Sequence, residues 1–119
     1  SAVDWNGKKQ KDTSGEENTI AIPGFEKVTL YANETKQAVN FHNPEINDCY
    51  FKISLIHPDG SVLWISDLIE PGKGMYSIEL EKTLAVGEYE NAVLKYECFS
   101  LNDQSPLNGS EINLKLVVV

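Results

Sequence analysis

The stretch Cys49-Tyr50-Phe51-Lys52-Ile53-Ser54-Leu55-Ile56-His57-Pro58-Asp59-Gly60-Ser61-Val62-Leu63-Trp64-Ile65 decides the fold class. From Cys49 to Ile56 the side chains alternate: Cys49, Phe51, Ile53 and Leu55 point one way, Lys52 and Ser54 the other. A period of two marks a strand with one face buried. The run stops at His57-Pro58-Asp59-Gly60-Ser61, where proline presets the second position of a type I turn and glycine supplies a positive φ. That is a three-residue hairpin loop with a bulge. It sets His57 opposite Ser61, hence Leu55 opposite Leu63 and Ile53 opposite Ile65. In this register Trp64 falls on the outward face beside Ser54, sharing it with Ile56 and Val62, with Tyr50 and Lys52 further along.

The same period recurs on both sides of the hairpin. Upstream, Ile20 to Ile22 reads as an edge strand that bends at Pro23-Gly24 and resumes at Val28 to Tyr31. Gln37 to Phe41 alternates as well. Downstream, Leu68 to Gly74 is a crossing loop, and Tyr76, Ile78 and Leu80 mark the next apolar face. Leu84 to Tyr89 forms a corner before the inward row Ala92, Leu94, Tyr96 and Cys98. A polar loop from Asn102 to Gly109 leads to Ile112, Leu114, Leu116 and Val118. No stretch holds a helical period for three turns. The expectation is an all-β domain over residues 19–119, a seven-stranded antiparallel β-sandwich.

Pairing Cys49 with Cys98 also pairs Phe51 with Tyr96, Ile53 with Leu94 and Leu55 with Ala92. Every pair is then inward-facing, as a shared core requires. The two cysteines are either a cross-strand disulfide or two buried thiols.

Residues 1–18, SAVDWNGKKQKDTSGEEN, are polar and carry no apolar period, so they read as a disordered linker, with Trp5 washed by solvent. Eighteen acidic side chains against ten basic ones give a net charge of −8. Such a surface repels phosphate backbones and anionic lipid, which argues against nucleic acid as a partner. No apolar run approaches the length of a transmembrane segment.

The corner Leu84-Ala85-Val86-Gly87-Glu88-Tyr89 resembles the one before the sixth strand of fibronectin III-like domains. In those domains a tyrosine hydroxyl ties the corner to nearby backbone. Two departures stand beside it: no tryptophan in the second strand, and cysteines on adjacent strands of one sheet, not across the sandwich as in antibody domains. Ile22-Pro23-Gly24-Phe25, Asn43-Pro44 to Cys49-Tyr50-Phe51, Ile69-Glu70-Pro71-Gly72 and Leu107-Asn108-Gly109 resemble small secreted or lipoprotein-type proteins of Gram-positive bacteria. That resemblance implies an extracellular or surface-anchored address and brings no activity with it.

Catalytic readings are weak on the residues themselves. His42 and His57 belong to no metal or nucleophile spacing, and a Cys49–His42 dyad competes with an inward structural cysteine beside an unrelated loop histidine. Glu79 and Glu81 share one strand face, whereas glycoside hydrolysis needs carboxylates flanking a cleft. Asp48, Asp59, Asp67 and Asp103 are scattered turn residues, not a calcium loop. The sequence therefore points to a non-catalytic binding or adhesion module without metal or cofactor. Its candidate surface is Trp64, Tyr50, Ile56 and Val62, its partner a protein or a glycan at a cell surface. The alternatives are a carbohydrate-binding module that stacks sugars on Trp64 and Tyr50, and a structural accessory domain of a surface assembly.

Overall fold

A computed structural model describes residues 3–4 and 27–119. The expected bend at Pro23-Gly24, the strand before it, Trp5 and all of the expected linker except Val3–Asp4 lie outside the described residues. The chain runs through β1 (Val3–Asp4), β2 (Lys27–Leu30), β3 (Lys36–His42), β4 (Cys49–Ile56), β5 (Val62–Ile65), β6 (Lys73–Glu79), β7 (Gly87–Ser100) and β8 (Pro106–Val118). No helix occurs among the described residues, and the architecture is all-β.

The strands form two sheets, one ordered β1-β6-β3 and the other β2-β8-β7-β4-β5. Both contribute to one core. Phe41 and Ile78 come from the smaller sheet; Leu30, Phe51, Ile53, Leu55, Leu94, Tyr96 and Leu116 come from the larger. This arrangement is compatible with a β-sandwich. One ladder departs from the antiparallel expectation, since β2 lies parallel to β8, with Lys27 opposite Lys115 and Leu30 opposite Val118. The reason is topological: β2 enters beside the C-terminal half of β8 and runs in its direction.

The turn after β4 forms as its residues demand. His57 N–H donates to Ser61 O at 2.8 Å, Gly60 N–H donates to His57 O at 2.8 Å, and Gly60 takes φ +91°. Asp59 tightens the loop by accepting from Ser61 N–H at 2.8 Å and from Ser61 Oγ at 2.6 Å. These bonds hold the Asp59 carboxyl down at about 2.

Two registers differ from the sequence expectation. In the hairpin, Ile56 faces Val62 as expected, but a bulge follows and Leu55 then faces Trp64 while Ser54 faces Ile65. Leu63 is the extra residue, so Trp64 turns inward and is 7 % exposed, while Ile65 takes the outward place beside Ser54. Tertiary packing explains the bulge. Trp64 meets Phe41 of the opposite sheet with ring centroids 5.7 Å apart, and Leu63 is buried too. Between β4 and β7, Cys49 faces Ser100, Phe51 faces Cys98, Ile53 faces Tyr96 and Leu55 faces Leu94. That is two residues away from the Cys49–Cys98 pairing, and a slip of two keeps every inward residue inward.

A buried polar bracket holds the start of β4. Asn43, fully buried, donates from Nδ2 to Cys49 O at 2.8 Å and to Ile69 O at 2.9 Å. Its Oδ1 accepts from Asn47 Nδ2 at 2.9 Å, so the amide is bonded at both ends. Ser66 performs a similar repair beyond β5, where its Oγ accepts from Ile53 N–H at 2.8 Å and replaces a ladder carbonyl. At the far end, β7 and β8 approach so closely that a β-carbon on Gly109 would overlap the Tyr96 carbonyl oxygen. Only glycine fits that bulge.

Candidate functional site

The outward side of the five-stranded sheet follows from these registers. Tyr50 faces Phe99, which faces Pro106, so an aromatic pair and a proline cross three strands in one row. In the next row Lys52 faces Glu97. Then come Ile65, Ser54, Lys95 and Glu111, and after them Val62, Ile56, Val93 and Asn113. The four charged residues of these rows, Lys52, Lys95, Glu97 and Glu111, cancel, although the chain as a whole carries −8. Neutral, partly apolar rows on an acidic protein are where association costs least in electrostatic repulsion.

Three of the four surface residues expected from sequence share this face. Tyr50 and Ile56 are half-buried in the sheet surface and Val62 is 42 % exposed. Trp64 is not among them, for the bulge sends it into the core. Ile65, 51 % exposed, stands in its place. Phe99 is the residue that sequence reasoning missed. It lines two shallow grooves, one of about 500 Å³ bounded by Lys52, Ile65, Asp67, Leu68 and Gln104, the other of about 390 Å³ bounded by Lys95, Glu97, Pro106 and Leu107. Leu107 is half exposed. A signal for Phe99 was present. Pairing Cys49 with Cys98 would set Lys52 against Lys95, like charges directly opposed, whereas the observed register sets Lys52 against Glu97 and Lys95 against Glu111.

The remaining candidates lie elsewhere. His42 is buried near the edge of β3, and its burial lowers the imidazole from 6.5 to about 4, so it is neutral at pH 7. His57 packs edge-on against Tyr89 at 5.3 Å and sits 3.1 Å from the Asp59 carboxylate, within the hairpin loop. Tyr89 Oη donates to Ala85 O at 2.8 Å, which is the corner tie expected from Leu84 to Tyr89. Cys49 and Cys98 are free, buried thiols on the inward side of β4 and β7. Among the described residues, no group of three or more His, Cys, Asp or Glu side chains is arranged to hold a metal ion. Nor is any helix there long and apolar enough to cross a membrane.

The fold and this face define an all-β protein with a partly aromatic sheet surface. Comparison with protein families, with curated proteins and with solved structures finds no match to this chain.

Proposed function

We propose that this chain is a non-catalytic binding module of the immunoglobulin or fibronectin III-like type that works at a cell surface. It engages its partner through the outward face of the five-stranded sheet. The observation that carries this reading is the row Tyr50–Phe99–Pro106, flanked by two grooves and set beside rows whose four charges cancel. Rigid aromatic side chains contribute large contact area at small entropic cost, and a sheet holds them in place before the partner arrives. The Tyr89–Ala85 tie supports the fibronectin III-like assignment, and the surface address rests on the resemblance of Asn43-Pro44 to Phe51 and its companion segments.

A carbohydrate is the second reading. Lys52, Asp67 and Gln104 in the groove beside Phe99 offer hydrogen bonds to hydroxyls while the ring offers a stacking surface. Both readings use one face and share one test. Wild type and Tyr50→Ser/Phe99→Ser are compared for binding to intact cells and to immobilised neutral polysaccharides. Loss of two aromatic anchors should weaken binding by about thirtyfold or more. The domain should still fold, with its thermal midpoint lowered by about 5–10 °C, because the half-buried pair also supports the ladder. Cell binding without polysaccharide binding selects a protein partner. A double variant that binds as the wild type does puts the site elsewhere and ends the proposal.

A further inference from the structure

We propose that the partner of the outward face is a second copy of this chain, docked sheet to sheet about a twofold axis. The axis runs along the strands, midway between β4 and β7. This inference rests on the binding face proposed above and names its occupant. The β4–β7 register carries it. A twofold in that position sets each outward residue of β4 over the β7 residue of the same row in the other copy, and makes every such contact twice. Tyr50 then lies over Phe99 of the second copy, Lys52 over its Glu97 and Ile56 over its Val93. Lys95 lies over Ser54, a small side chain only 5 % exposed. Aromatic meets aromatic, charge meets opposite charge, and aliphatic meets aliphatic. An axis across the strands would instead set the aromatic row on the aliphatic one.

Charge selects this occupant. Two copies that each carry −8 repel wherever their acidic surfaces meet, so they approach most easily through rows whose charges cancel. Among the described residues, none of Lys52, Lys95, Glu97 and Glu111 is held in an ion pair, whereas Lys115 holds Glu88 and Glu90 at 2.7 and 3.3 Å. The charges of these rows are therefore available across an interface, and opposite charges placed across a contact fix its register. Val62 and Ile65, 42 % and 51 % exposed at the β5 edge, add apolar surface that docking covers. Four strands and four rows span about 500 Å² of each copy at ordinary sheet spacings. The total, about 1,000 Å², suits a weak and reversible dimer, not a permanent one.

The test is sedimentation velocity of the full chain alone, which reads this contact independently of any other partner. Wild type should pass from monomer to dimer with a Kd on the order of tens of micromolar. Lys52→Glu and Glu97→Lys each set like charges together twice across the axis, and each should weaken the dimer by about tenfold or more. Mixed in equal amounts, the two variants should form a mixed dimer about as tightly as wild type, seen by native mass, because each supplies the charge the other lacks. The exchange Lys52→Glu/Glu97→Lys keeps the cross-strand pair within one chain, so it decides if a single variant fails to fold. It should dimerise with itself and not with wild type. A wild type that stays monomeric to about 1 mM overturns the proposal. So does a mixture that associates no better than either variant alone, or an exchange variant that pairs freely with wild type. If that happens while Tyr50→Ser/Phe99→Ser still loses cell binding, the face belongs to a different molecule and only the second copy is refuted.

Discussion

Replacing Asn43 by alanine removes three hydrogen bonds at one stroke: two donated by Nδ2, to Cys49 O and Ile69 O, and one accepted by Oδ1 from Asn47. Ile69 O keeps a partner, since Phe51 N–H also donates to it at 3.0 Å. The Asn47 amide, 5 % exposed, loses the Asn43 oxygen, and Cys49 O loses its side-chain donor. At roughly 1–1.5 kcal/mol for each bond, the loss is about 3–4 kcal/mol, a large part of a domain's typical stability. Urea unfolding of wild type and Asn43→Ala, followed by tryptophan emission, reads that difference directly. The thermal midpoint should fall by about 15 °C. Asn43→Asp sharpens the test, because it keeps the shape and the acceptor but turns an oxygen towards two carbonyls. Its carboxyl is charged at pH 7 and faces acceptors, so its folded pKa rises above the unfolded value. The variant should therefore recover stability as pH falls through that raised value and lose it again as pH rises. A loss below about 1 kcal/mol for Asn43→Ala, or an Asn43→Asp as stable as wild type at neutral pH, would refute the bracket.

Two further outcomes test the core. With Trp5→Phe to leave one reporter, Trp64 emission should be blue-shifted and protected from iodide, as its 7 % exposure and its contact with Phe41 require; red-shifted, quenchable emission would return Trp64 to the outward register. His42 gives the pH dependence: its folded value of about 4 lies below the unfolded 6.5, so the unfolded chain binds more protons between them. Its stabilising contribution is full above about pH 6.5 and is lost as pH falls towards 4, about 3 kcal/mol in all. Chemical denaturation of wild type and His42→Gln at pH 7 and pH 4.5 should show a drop in the wild type that the variant lacks, and equal drops would sink the assignment. Asp59 does not blur that window, for its contribution is lost between the unfolded value of 3.8 and the folded value of about 2, below both pH values compared.

Much of the fold is legible in the sequence because side-chain alternation is a local property. Cys49 to Ile56 is a strand with the faces expected, and Ala92, Leu94, Tyr96 and Cys98 form a buried row. The loop from His57 to Ser61 also follows from its own residues, since proline and a glycine at φ +91° act within five positions. The site is legible in part. Tyr50, Ile56 and Val62 follow from parity, while Phe99 beside Tyr50 depends on which residues of two distant strands meet.

What the sequence by itself determined is therefore most of the strands from Val28 onward, the hairpin loop and the face of most side chains. β1 at Val3–Asp4 and the start of β8 at Pro106, within the stretch expected as loop, were not legible. Tertiary structure alone decided the registers. Alternation has a period of two and cannot sense a slip of two, so Cys49 opposite Cys98 and Cys49 opposite Ser100 bury the same residues equally well. The choice falls to cross-strand pairs such as Lys52 with Glu97, which exist only once the strands have met. At Leu63 the decision belongs to the opposite sheet. Phe41 supplies a buried surface that Trp64 reaches only if the strand gains a residue, and nothing within the hairpin's own sequence encodes that partner.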